Sequence, residues 1–194
     1  VINTVATANL AKQCICYGVK RFIFVSSIGV LGNDSLDGVI TNNSPYNPKT
    51  TYAVSKMDAE LALDALSESG MQIIILRPPL VYGPGAPGNF DRLLRLISGC
   101  RILPFGMFRC PRSMISLDNL CDLVRHCVHT PAPLTNKFVV SDDSDWTTEQ
   151  LVHLISKLLK INIYNLQVPI FILSFLAGFI RRSDDIDKLA HPLV

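Results

Sequence analysis

Between Gly70 and the proline pair Pro78-Pro79 lies the run Gln72-Ile-Ile-Ile-Leu76, which is almost wholly aliphatic and shows no polar alternation. A strand with one wet face alternates polar and apolar residues, whereas a strand covered on both faces of a parallel sheet does not. The run therefore demands helices on both sides of a sheet. Ile2, Val5, Ala6, Leu10 and Ala11 recur at helical spacing up to a stop at Gly18, and Arg21 to Ser26 follows as a short apolar strand. A helix is predicted from near Thr50, with Val54, Met57, Leu61 and Ala65 on one face, until Gly70. Helix, strand, helix, strand in this order makes right-handed crossover units, an α/β architecture whose ligands bind beyond the carboxyl ends of the strands.

The pattern continues with a helix carrying Phe90, Leu93, Leu94 and Ile97, a strand over Met114–Leu117, a helix over Asp118–His129 and a strand over Lys137–Ser141. Thr147 with Gln150 three residues on predicts a capping box opening a helix striped by Leu151, Leu154, Ile155 and Leu158. Between Lys160 and Arg181 no residue is charged, but Asn162, Asn165, Gln167 and Pro169 occupy the first half of this stretch. The apolar part, Ile170 to Ile180, is too short to span a bilayer. A helix packed on the protein is the preferred reading, and peripheral membrane association through residues 161–182 is the alternative.

Charged residues make up only 18% of the 194, against about 25% in an average soluble domain. Much of the surface is thus expected to be covered by a partner, a cofactor or a membrane. The net charge of +2 is spread without a basic stripe, which argues against a nucleic-acid partner. Six cysteines without framework spacing argue against disulfides, and no paired Cys-x-x-Cys supports a zinc site. The chain begins Val1-Ile2-Asn3 with no secretory signal, so the expectation is a cytoplasmic protein, or a piece of one, conceivably at the inner membrane face.

The sharpest constellation is Ser26-Ser27 at a strand end followed by Tyr52-Ala-Val-Ser-Lys56 at a helix start. Tyr52 and Lys56, four residues apart, stand one above the other on a helix face. An adjacent ammonium favours a phenolate, so Lys56 is expected to lower the pKa of Tyr52. Tyr52 could then exchange a proton with a substrate hydroxyl while Ser27 hydrogen-bonds the same oxygen, which suits hydride-transfer chemistry.

With Arg77-Pro78-Pro79-Leu80-Val81-Tyr82-Gly83 closing the next strand, these motifs resemble the extended short-chain dehydrogenase/reductase superfamily. They are most similar to its NAD-dependent sugar-nucleotide epimerase/dehydratase family, of the UDP-glucose 4-epimerase type. The resemblance runs from Val1 to about Leu159. It implies a catalytic trio of Ser27, Tyr52 and Lys56. It places Asn3, Ser26, Tyr52, Lys56, Pro78 and Pro79 at the cofactor, NAD with NADP not excluded. Ser27, Asn89, Phe90 and Arg112 would meet a nucleotide-sugar substrate, the last three at its diphosphate. Asn89 as a helix cap, and Arg112 and Arg77 as structural charges, are the plainer alternatives. The resemblance further implies a partial Rossmann-type parallel sheet over 1–82 and a small α/β substrate-binding subdomain over 83–194, with 112–141 returning a strand and helix to the Rossmann core. A homodimer paired through the helices that flank the catalytic strands is also implied.

Departures refine this. Family dehydratases carry an Asp-Glu pair after the catalytic hydroxyl residue, where this chain has Ile28-Gly29, which disfavours dehydration. Leu31 and Leu80 replace residues common in the sugar pocket of 4-epimerases. No Gly-x-x-Gly-x-x-Gly fingerprint occurs, so the chain is expected to be the later part of a longer, N-terminally extended protein. The resemblance implies epimerisation of a nucleotide-activated or lipid-diphosphate-linked sugar, at C4, in surface polysaccharide biosynthesis. A one-way reductase or dehydrogenase, and a non-catalytic fragment, stay open as alternatives.

Overall fold

A computed structural model describes residues 2–32, 39–85, 89–133 and 136–169. Two compact units result, one from Val1–Asn33, Ile40–Pro79 and Ile115–Ser141, the other from Asp34–Val39, Leu80–Met114 and Asp142–Val194.

In the first unit, α1 (Ile2–Cys16) ends where expected. Gly18 takes φ +71°, and the amides of Gly18 and Val19 turn back to the carbonyls of Ile15 and Cys14. That left-handed close favours glycine. Next come β1 (Arg21–Val25), a 3-10 turn (Ile28–Val30), α2 (Thr51–Asp64), a second 3-10 turn (Ser67–Ser69), β2 (Gln72–Arg77), α4 (Leu117–His129) and β6 (Asn136–Val139). The strands form a parallel sheet in the order β1-β2-β6, with Arg21 opposite Gln72 and Ile74 opposite Asn136.

The aliphatic run that demanded two covered faces has them. Ile73 and Ile75 of β2 pack with Phe24, Ala11 of α1, and Ala59 and Leu63 of α2. Ile74 and Leu76 point the other way, onto Cys127, Leu123 and Val124 of α4. Side chains alternate across a strand, so a strand inside a three-layer sandwich needs apolar residues at every position. Fully burying each such side chain contributes about 1.5–3 kcal/mol.

Arg21 fastens the layers at the opposite end of β1. Its guanidinium donates to Gln72 Oε1 and to the carbonyls of Cys127, Val128, Thr130 and Ala132, where α4 ends. A cation there satisfies carbonyls that have no helical partner.

The second unit contains β3 (Leu80–Tyr82), α3 (Asn89–Gly99), β4 (Ile102–Leu103), most of β5 (Arg112–Ser116), β7 (Asp145–Trp146), α5 (Thr148–Leu158) and β8 (Tyr164–Asn165). Its sheet has the order β3-β5-β7, with β5 and β7 antiparallel, and β4 pairs with β8 in parallel. Ile97, Leu103, Met114, Leu151, Val152 and Ile155 form its core. Thr147 and Gln150 make the predicted capping box on α5. The strands β3, β4, β7 and β8 were not expected. The polar half of the stretch after Lys160 is a strand rather than helix at Tyr164–Asn165, because it adds to β4. The segment 170–180, and with it the membrane alternative, lies outside the described residues, and no described helix is long and apolar enough to cross a membrane. Among the described residues no three His, Cys, Asp or Glu side chains gather to hold a metal.

Candidate active site

The carboxyl end of β1 delivers Ser26 and Ser27. Ser26 stays in the sheet, its amide donating to Leu76 O at 2.7 Å. Ser27 caps the following turn and accepts a hydrogen bond from Gly29 N at 3.2 Å. The Ser27 turn lies beside the first turn of α2, where Tyr52 stands: a Cβ at Gly29 would be in ordinary contact with Ser27 Oγ at 3.4 Å and Ala53 Cβ at 3.7 Å. Thr50 caps that helix, accepting from Ala53 N at 3.1 Å. The amide of Ile28 donates to Pro78 O at 2.9 Å, which binds the Pro78-Pro79 turn to the serine turn. Both prolines are buried.

Tyr52 and Lys56 share one face of α2 as their spacing required. The Lys56 ammonium reaches back over the sheet end, donating to Val25 O at 2.9 Å and standing 4.7 Å from the Phe24 ring and 5.9 Å from the Tyr52 ring. The expected lowering of the Tyr52 pKa is not found in this arrangement. Burial pushes the phenol up, and Lys56 spends its ammonium on a backbone carbonyl. Burial pulls Lys56 below its ordinary value, while the charge of Glu60 pushes it back up. Asn3, on α1, donates through Nδ2 to Ser55 Oγ at 3.1 Å, so it braces the back of the Tyr52–Lys56 turn.

Behind these groups lies a buried polar cluster that the sequence did not announce. Glu60 has no exposed surface. Its Oε1 accepts from Ser26 Oγ at 2.5 Å, its Oε2 from Tyr46 Oη at 2.8 Å, and Arg77 grips both oxygens, with Nη2 to Oε2 at 2.7 Å. Tyr46 in turn accepts from Lys137 at 2.8 Å, and Lys137 pairs with Asp64 at 2.6 Å. Burial lowers the affinity of Arg77 for its proton, but the hydrogen bonds and charge of Glu60 win and the net shift is upward. The available signal was Arg77 itself. A guanidinium closing an all-aliphatic strand requires a carboxylate.

Asn89, Phe90 and Arg112 belong to the second unit. Asn89 opens α3, and the Phe90 ring packs against Tyr82 at 5.8 Å. Arg112 begins β5 opposite Trp146 and is half-buried.

A parallel sheet with a serine at the end of one strand and a tyrosine–lysine pair on the following helix defines a Rossmann-type protein of the short-chain dehydrogenase/reductase class. The profile of the NAD dependent epimerase/dehydratase family matches residues 1–124, and the chain belongs to that family. It is 40% identical over 99% of its length to the UDP-glucose 4-epimerase of Vibrio cholerae. It is 26% identical over 92% of its length to the N-acetyl-alpha-D-glucosaminyl-diphospho-ditrans,octacis-undecaprenol 4-epimerase of Escherichia coli O157:H7. It spans 60% and 54% of those relatives. Among solved structures, the UDP-glucuronic acid 4-epimerase of Bacillus cereus in complex with NAD superposes with a TM-score of 0.75 at 20% identity, covering 84% of this chain and 55% of that one.

Proposed function

We propose that the protein carrying this chain is an NAD-linked 4-epimerase of a nucleotide-activated or lipid-diphosphate-linked sugar, serving surface polysaccharide synthesis. The observation that carries this reading is the half-exposed Tyr52–Lys56 face at the carboxyl end of a parallel strand. It occurs in a chain alignable along nearly its whole length with a UDP-glucose 4-epimerase. The undecaprenol-linked relative supports the lipid-diphosphate option and the polysaccharide role.

The donor set suits the ribose end of a dinucleotide. Lys56 offers ammonium donors beyond the one on Val25 O, and Tyr52 a phenol 54% exposed, at a strand end where parallel sheets take ligands. Asn3, Ser26, Pro78 and Pro79 would border that end of the site. NAD, when bound, supplies the hydride acceptor and donor. Tyr52 Oη takes the proton of the sugar C4 hydroxyl and later returns it, and Ser27 Oγ hydrogen-bonds the same oxygen and fixes its position. Lys56 supports the phenolate once ligand binding brings its charge to bear on Tyr52 Oη. The backbone at Asn89 and Phe90, at the N-terminus of α3, and the Arg112 guanidinium would bind the substrate diphosphate. Ile28, buried beside Gly29, gives no acid or base for eliminating water.

A second copy would pair along α1 and α2, where Val5, Leu10, Val54 and Leu61 are exposed. Sedimentation at a single protomer's mass would contradict that pairing. The activity is tested by product analysis with UDP-glucose and NAD. The expected result is the C4 epimer with no net change in NADH. Stoichiometric change of NADH without epimer would make the protein a reductase or dehydrogenase instead.

A further inference from the structure

A buried ion pair costs about as much in lost hydration as its attraction returns, and apolar residues often replace one without loss. The Arg77–Glu60 pair, 3% and 0% exposed, is therefore a poor device for stability alone. Its connections indicate another use. Glu60 stands four residues beyond Lys56 on α2, the spacing that already joins Lys56 to Tyr52, so the three side chains form one stripe along the helix. From that position its carboxylate holds the hydroxyl of Ser26, the residue beside Ser27, and Arg77 at the end of β2. Its carboxylate thus ties α2 to the ends of both β1 and β2, where Lys56 meets Val25 O.

We propose that Glu60 is the positioning residue for Lys56: its buried charge and its ties to Ser26 and Arg77 fix the ammonium over the end of β1. The inference rests on the reading of Tyr52 and Lys56 as the proton-handling pair. The groups facing Lys56 are Val25 O and Phe24 from β1, and Tyr52 and Glu60 from its own helix. Those facing Glu60 are Ser26, Arg77 and Tyr46, with Lys137 and Asp64 one contact further. Glu60 is the anion that acts on Lys56, and it opposes the effect of burial. Removing it leaves Lys56 with burial alone and, in a single variant, with an uncompensated Arg77.

The test titrates Lys56 directly by NMR in protein made with isotope-labelled lysine, the resonance assigned by its disappearance in Lys56→Arg. Glu60→Gln should lower the Lys56 midpoint by about one pH unit. Glu60→Asp, which keeps the charge, should restore the midpoint to near the native one even if thermal stability drops. Where Glu60→Gln fails to fold, Glu60→Gln/Arg77→Met removes both charges together and should still lower the midpoint, by about half a unit. A midpoint unmoved in Glu60→Gln, or in Glu60→Gln/Arg77→Met where the single variant does not fold, overturns the proposal. Turnover retained by Tyr52→Phe would instead defeat the reading of the site, and it leaves the Lys56 midpoint to be judged separately.

Discussion

Two ion pairs show how differently the two units hold themselves together. In the first, Arg77 and Glu60 are 3% and 0% exposed, and every polar atom of the pair that is fully buried has a partner. In the second, Arg109 and Glu149 meet at 3.1 Å but remain 66% and 37% exposed. The exposed pair works in high dielectric and is screened by salt, so it is worth at most about 1 kcal/mol. The buried pair gains little as a pair, yet is costly to break because it leaves a charge without water or a partner. Chemistry needs fixed geometry, and the first unit fixes Ser26 and Arg77 by buried polar contacts to Glu60. The second unit relies on apolar packing and very short strands.

Substitution at the two pairs tests this difference. Arg77→Met, which strands the Glu60 carboxylate, should destabilise the protein by about 3–5 kcal/mol in denaturant titration. Arg109→Met at the exposed pair should cost under about 1 kcal/mol in the same measurement. Equal costs would erase the distinction between the units. In the second unit the vulnerable point is Gly106 rather than a charge. A Cβ there would lie 3.0 Å from Leu166 O and 3.1 Å from Asn165 O, both backbone atoms, so Gly106→Ala should cost about 1–3 kcal/mol.

The smallest effect concerns Lys137, which joins the rim of the buried cluster. Burial pulls its pKa down, but hydrogen bonds from the ammonium to Asp64 and Tyr46 outweigh this and hold it above the ordinary 10.5. A base whose folded pKa is raised stabilises fully below its unfolded value, and that stabilisation is lost as pH rises through the folded value. Stability should therefore decline above about pH 10.5, by less than about 1 kcal/mol for this half-exposed pair, and Lys137→Met should flatten the decline. An identical alkaline profile in Lys137→Met would assign the decline elsewhere.

Much of the first unit was legible in the sequence because local chemistry and the global fold agree there. Gly18 supplies a left-handed stop, the run Gln72–Leu76 declares two covered faces, and Tyr52 and Lys56 share a face by spacing alone. The capping box at Thr147 was equally local. What escaped was whatever depends on distant partners. The two-residue strands β4 and β8 exist only because each pairs with the other, through contacts such as Tyr164 N to Arg101 O at 2.8 Å. Glu60 reads as an ordinary charge on a helix, and only the fold reveals that Ser26, Tyr46 and Arg77 enclose it. The upward push of burial on the Tyr52 phenol, where spacing led us to expect a lowering by Lys56, escaped for the same reason. Spacing places Lys56 beside the phenol, but the Val25 carbonyl, contributed by another element, takes its ammonium.

The central claim is that the phenol of Tyr52 handles the proton in an NAD-linked epimerisation. The most direct measurement is turnover of Tyr52→Phe with UDP-glucose and NAD, alongside circular dichroism to show an unchanged fold. Loss of the acid–base group should lower the rate by at least about a hundredfold with no loss of structure. A variant that folds like the parent and retains substantial turnover would contradict the account.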